Sequence, residues 1–217
     1  MMQFSGKSVY KGIALGPAIV FKKNEYTVQR IKAADADTEI LRLKKAAGLA
    51  AVKLQLLYNK ALKEAGEAGA AIFKVYQMMM EDEDYLDAVQ DMIRREMVNA
   101  EYAVFVTGAH FSEMFSGMED EYMKARAADI KDISDRLIRS LAGGEENEPV
   151  LTEPSIIVAE DLSPGETVQM DKEKILGFVT VHGSLNSHTA ILARMMNIPA
   201  LLGVPVNLDE LHTGMKV

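Results

Sequence analysis

The chain has 217 residues, 48% hydrophobic and 26% charged, with a net charge of -8 and no cysteine. That length and balance suit one large globular domain or two modest ones, each with its own core. The negative charge argues against nucleic acid, because no cationic surplus displaces condensed counterions, and zero cysteines exclude disulfides, thiolate zinc sites and cysteine nucleophiles.

Two short β-type pieces, Ser8-Val9-Tyr10 and Pro17-Ala18-Ile19-Val20-Phe21, open the chain around Gly12 and Gly16. The six prolines are Pro17, Pro149, Pro154, Pro164, Pro199 and Pro205, so residues 18–148 carry none. A proline inside a helix costs about 3 kcal/mol, and a long proline-free stretch rich in Ala, Leu, Glu, Lys and Met reads as helix. Asp35 or Asp37 is placed to cap a helix with the face Ile40, Leu43, Ala47, Ala50, Leu54, Leu57 and Ala61, interrupted at Gly66 and Gly69. A short helix through Ile72–Met79 follows, then one with Leu86, Val89, Ile93 and Met97 inward. The next has Val104, Gly108, Phe111, Phe115 and Met118, broken at Gly117. The last carries Met123, Ala127, Ile130, Ile133, Leu137 and Leu141 and stops at Gly143-Gly144. Antiparallel helices with short links make a bundle.

After the loop Gly143–Pro149 the pattern changes. Ser155–Ala159, Ile175–Val181 and Ala200–Val204 are short strand-like runs, with a helix from His188 between the last two. Strand and helix alternate, which suggests an α/β layer with largely buried strands. The fold class expected is an α/β domain interrupted by an all-α bundle. Residues 1–33 begin the α/β domain, 34–146 form the helical subdomain, and 147–217 complete the α/β part. Gly214-Met215-Lys216-Val217 reads as the start of a further strand, so a fragment of a longer protein is expected.

Four histidines are present, and His188 stands out. It follows the glycine-containing turn Gly183-Ser184-Leu185-Asn186-Ser187, at the point where the apolar pattern Ile191, Leu192, Met195 begins. A helix start supplies backbone N–H groups and the positive end of a dipole, which suits an imidazole that becomes negatively charged on accepting a phosphoryl group. A histidine packed there for structural reasons is the alternative. His182 is placed to line the same pocket or to sit in a solvated loop, His110 reads as an ordinary helix residue, and His212 lies in a polar stretch. A metal at His188 lacks partners, since no carboxylate lies between Gly183 and Arg194. A Ser-His-Asp arrangement using Ser184 or Ser187 lacks the G-x-S-x-G elbow. Nucleophilic catalysis by the imidazole needs only a neutral nitrogen, a partner for the second nitrogen, and donors for phosphoryl oxygens. Ser184, Ser187, Thr189, Thr167 and Arg194 are available for those tasks.

Ser187-His188-Thr189-Ala190-Ile191-Leu192-Ala193-Arg194, followed by Ile198-Pro199-Ala200, resembles the phosphohistidine signature of phosphoenolpyruvate-utilising enzymes. That family includes Enzyme I of the bacterial sugar phosphotransferase system, pyruvate phosphate dikinase and phosphoenolpyruvate synthase. Met79–Asp84 and Asp120–Ile133 resemble the helical subdomain of Enzyme I, and Gly12–Ala18 and Asp161–Thr167 also fit. The resemblance covers essentially the whole chain. It implies a swivelling phosphohistidine domain in which His188 takes a phosphoryl group from phosphoenolpyruvate and passes it to the phosphocarrier HPr, with Thr167 orienting the ring. Gly183, Ser184, Ser187, Thr189 and Arg194 would surround the phosphate.

Met78, Met79, Glu83, Asp84, Met123 and Arg126 match positions that face HPr in the family. Adaptable methionines suit a partner that binds briefly, although Met78, Met79 and Met80 cannot all be surface residues. The resemblance further implies magnesium in the intact enzyme, at a site outside this chain, with no metal site within it. The intact enzyme is expected to be a homodimer, and this chain a cytoplasmic monomer with neither nucleic-acid nor membrane partners. One departure is clear: Enzyme I generally reads Gly-Gly-Arg-Thr-Ser-His, and here Leu185-Asn186 replaces Arg-Thr. The rival readings are the swivelling domain of a dikinase or synthase, and a non-catalytic helical interaction module.

Overall fold

The computed structural model describes residues 3–22, 27–144, 151–185 and 187–217, with Glu121, Tyr122 and Ala125 described by their backbone alone. Asn186 and the loop 145–150 lie outside the described residues. The chain divides into two compact units. The first comprises residues 1–24, 57–72 and 147–217, and the second 25–56 and 73–146.

The first unit is built on a five-stranded sheet of β1 (Lys7–Tyr10), β2 (Ala18–Phe21), β3 (Ser155–Ala159), β4 (Ile175–Thr180) and β5 (Ala200–Leu202), in the order β1-β5-β4-β3-β2. Strands β2 to β5 run parallel and β1 closes the far edge antiparallel to β5. Every residue of β3 is buried, as expected of a strand covered on both faces. Period-two alternation then sorts its side chains: Ile156 and Val158 join Ala18, Val204, Val206 and Leu208 in one cluster, while Ile157 and Ala159 face the other way. The last residues add to the β2 end of the sheet region, where Val217 and Gly16 exchange backbone hydrogen bonds, Ala18 N donates to Met215 O and Gly214 N donates to Ala18 O. Neighbours β2 and β3 are thus joined by a connection that contains the whole helical region.

That region holds α1 (Ala36–Met80), α2 (Glu83–Glu96), α3 (Ala100–Ser116) and α4 (Glu121–Leu141). Asp35, not Asp37, caps α1, its carboxylate accepting from the Thr38 amide at 2.9 Å. Gly66 takes non-helical dihedrals (φ 71°, ψ -174°), so α1 is two helices joined at a kink, and Gly69 does not interrupt the second. The expected second helix through Ile72–Met79 is therefore present, as the helix beyond the Gly66 kink, and it begins earlier than the spacing predicts.

In the helical unit the buried face of α1 is Ile40, Leu43, Ala46, Ala50 and Leu54, continued by Phe73, Tyr76 and Met80. A side chain such as Leu54, fully withdrawn from water, contributes roughly 2 kcal/mol. Two buried tyrosines add directional ties. Tyr76 donates to Asp132 Oδ2 at 2.9 Å, and the Tyr85 and Ser134 hydroxyls lie 2.8 Å apart. Burial pushes the Tyr85 phenol up to about 12, and burial beside Asp132 and Asp129 raises Tyr76 further. Both therefore stay neutral donors under any physiological condition. Among the described residues, no helix is long and apolar enough to cross a membrane.

Candidate active site

The site begins where β4 ends. Thr180 donates from Oγ1 to the His182 carbonyl at 2.5 Å, and the His182 amide bonds to Glu160 O at 2.8 Å. Gly183 then takes φ 112°, a conformation that side chains resist, and turns the chain out of the sheet. Ser187 N reaches Ser184 O at 3.0 Å to close the following turn. Helix α6 (His188–Met196) starts at once, capped by Ser187, whose Oγ accepts from the Ala190 amide at 3.3 Å. His188 is thus the first helical residue, half-buried, at the positive end of α6.

Helix α5 (Pro164–Gln169) packs against α6. A complete capping box starts it: Glu166 N bonds to Ser163 Oγ at 3.3 Å, and Ser163 N to Glu166 Oε2 at 2.7 Å. Thr167, fully buried, donates its hydroxyl proton to Ser163 O at 3.0 Å. With that proton committed, the oxygen faces any further partner as an acceptor.

The remaining hydroxyls and the arginine separate by role. Thr189 is buried, and its Oγ1 donates to Leu162 O at 2.8 Å, tying the lead into α5 to the start of α6. Ser184 and Gly183 are exposed, and Ser187 is committed to the cap. Arg194 is exposed and donates from Nη2 to Leu185 O at 2.9 Å, bracing the turn ahead of His188. One bond occupies one of five guanidinium N–H donors. His182 and His212 are exposed, and His110 is an exposed residue of α3, edge-on to Phe111. Sequence reasoning missed α5 and the Leu162 acceptor, although Ser163-Pro164-Gly165-Glu166 carries the Ser-x-x-Glu signature of a helix start.

In the helical unit Met80 is the core member of its triplet, Met79 is half-buried and Met78 is 68% exposed. Glu83 and Asp84 are exposed on the first turn of α2, whose cap Asp82 accepts from Tyr85 N at 2.9 Å. Met123 is half-buried near the start of α4, and Arg126 pairs with the buried Asp129 at 2.6 Å. Tyr76–Asp132 and Tyr85–Ser134 tie the ends of α1 and α2 to α4, so these six residues sit on elements held to one another. Among the described residues no three of His, Asp and Glu gather in a way that could hold a metal ion.

The family model for the N-terminal part of PEP-utilising enzymes matches residues 5–126, and that for their mobile domain matches residues 151–217. The chain belongs to the PEP-utilising enzymes. It is 39% identical over 210 residues to a phosphoenolpyruvate-protein phosphotransferase of Mycoplasma capricolum, covering 96% of this chain and 36% of that protein. The Bacillus subtilis protein of the same name is 36% identical over 218 residues, covering 100% and 38%. The chain therefore spans a little over a third of the length of these relatives. A solution structure of Enzyme I is similar with a TM-score of 0.82 at 33% identity, over 99% of this chain and 88% of that one. The N-terminal domain of nitrogen Enzyme 1 shares the fold, with a TM-score of 0.70 at 23% identity over 99% and 93%. Among PEP-utilising enzymes, the likeness to Enzyme I thus extends through the helical bundle as well as the mobile domain.

Proposed function

We propose that this chain is the phosphohistidine and HPr-docking part of a phosphoenolpyruvate-protein phosphotransferase, acting in sugar uptake in the cytoplasm. The observation that carries the reading is His188 at the first position of α6, beside α5, which holds Thr167. Because Thr167 spends its proton on Ser163 O, it can only accept from the imidazole. Nδ1–H donating to Thr167 leaves the Nε2 lone pair as the nucleophile. That nitrogen attacks phosphorus, the bond from phosphorus to the donor's oxygen or nitrogen breaks, and a P–Nε2 bond replaces it. Charge arriving on the phosphoryl oxygens meets the start of α6, the exposed Ser184 and the spare donors of Arg194.

HPr docks on the helical unit through Met78, Met79, Glu83, Asp84, Met123 and Arg126. An exposed methionine beside two carboxylates suits a basic, apolar and short-lived partner. Phosphoenolpyruvate and magnesium act through parts of the enzyme beyond these residues, and the intact enzyme works as a homodimer. Among the described residues no group of His, Asp and Glu gathers to hold magnesium. Residues 34–146 act as the docking insertion within an α/β phosphohistidine domain.

Incubation with labelled phospho-HPr tests the proposal. The chain should draw label from HPr and return it, whereas His188→Ala should bind HPr without taking label. Equal labelling of both proteins would overturn it.

A further inference from the structure

The outer side of α1 carries a surface that phosphotransfer does not use. From Ile40 to Leu56 the sequence has four cations, Arg42, Lys44, Lys45 and Lys53, and no Asp or Glu, in a chain of net charge -8. Arg42 is taken up by Glu39 and Glu101 at 2.7 and 2.5 Å. Lys44, Lys45 and Lys53 are exposed and form no ion pair with a described residue. Among them stand Leu41, Leu49, Val52 and Leu56, each 54–64% exposed. The opposite side of the helix, with Leu43, Ala46, Ala50 and Leu54, is fully engaged in the bundle core. Burial accounts for that inner side, but nothing in the bundle requires a second apolar line facing outward.

The outer line has a definite pattern. Lys45, Leu49, Val52 and Leu56 are spaced four, three and four, the seam spacing of paired helices. At about 1.5 Å per residue the seam is some 17 Å long. Gly48 is exposed beside it, with nothing within 4 Å of where a Cβ would stand, so a partner can come close there.

We propose that this face docks an acidic amphipathic helix of another protein, its apolar seam on Leu49, Val52 and Leu56 and its carboxylates against Lys44, Lys45 and Lys53. Charge selects this occupant. A second copy of the chain packed through the same face would set lysine against lysine, with no Asp or Glu between Ile40 and Leu56 to relieve it. A basic phosphocarrier belongs with Glu83 and Asp84, not here. An anionic bilayer also attracts lysines, but the stretch has no aromatic residue to sit at headgroup level, and the remaining protein is strongly acidic.

The test uses a fluorescein-labelled four-heptad peptide with Leu at the seam and Glu flanking it, which does not self-associate because its glutamates repel. A peptide with Lys in place of Glu is the control. The whole chain should bind the Glu peptide in preference to the Lys peptide, less tightly as salt rises, with NMR methyl shifts centred on Leu49, Val52 and Leu56. The combined variant Lys44→Glu, Lys45→Glu, Lys53→Glu should weaken binding by about tenfold, as expected for three exposed charge pairs. Leu49→Ser with Val52→Ser should weaken it as well. These positions are exposed, so unchanged melting curves should show that both variants fold. Equal binding of the two peptides, indifference to the charge variant, or shifts centred elsewhere would overturn the proposal. Vesicles of phosphatidylcholine with about a quarter phosphatidylserine are the competing target. Binding to them that the same variants abolish, without binding of the Glu peptide, would assign the face to lipid and overturn it too.

Discussion

The hydroxyl of Thr189 donates to the carbonyl oxygen of Leu162 at 2.8 Å, across 27 residues of chain. Leu162 immediately precedes the cap of α5, and Thr189 immediately follows His188. One buried bond therefore sets how the helix carrying Thr167 meets the helix carrying His188.

Thr189→Val keeps the shape of the side chain but leaves the Leu162 carbonyl without its partner. The expected loss is about 1–3 kcal/mol of stability, read from denaturant unfolding. Phosphate uptake from phospho-HPr should slow in the same variant at temperatures where it stays folded. Thr189→Ser, which keeps the donor, should restore most of both.

Ser187→Ala removes the α6 cap, in which Ser187 Oγ accepts from Ala190 N at 3.3 Å. Loss of such a cap costs on the order of 1 kcal/mol. Hydrogen exchange should speed up first in the opening turn of α6, ahead of the strands. Uniform acceleration across the sheet would mean that the cap is not a local device.

Gly108→Ala tests the α3–α4 interface. A Cβ at Gly108 would stand 2.2 Å from Ser134 Oγ, which is bonded to Tyr85 and to Ile130 O. Relief has to break that network or separate the helices, so a cost of about 1–3 kcal/mol is expected. Adding Ser134→Gly should recover much of the packing loss.

Much of this arrangement is legible in the chain itself. Apolar spacing marks Ile40, Leu43, Ala50 and Leu54 as core, and the β-branched run Ser155–Ala159 forms β3 as read. Gly66 and Gly69 read as helix breakers, but only Gly66 leaves helical dihedrals, and the helix resumes beyond it. Six residues are too few for a helical period, so α5 shows only through its capping box. Thr189 reads as a hydroxyl near the phosphate because sequence gives adjacency and not direction. A step of one helical residue turns the side chain by about 100°, enough to aim it inward. Nothing in the sequence indicates Leu162 as its acceptor.

Glu64 provides a pH test. Its Oε2 is buried without a hydrogen-bond partner, and burial raises the carboxyl above its usual 4.5 despite Lys60, Lys172 and Lys63 nearby. The unfolded chain therefore releases this proton first as pH rises. Stability falls from about the usual value upward through the folded value and is level beyond it. Glu64→Gln should raise the melting temperature at pH 7, and the gain should vanish near pH 4. A gain independent of pH would place its origin elsewhere.

The central claim is tested most directly by locating the phosphate. After exchange with phospho-HPr, fragment mass spectrometry in alkaline solution, where phosphoramidates survive, should find acid-labile phosphate on His188 alone, with the NMR signature of Nε2 attachment. Phosphate on any other histidine, or none on a folded chain that binds HPr, would contradict it.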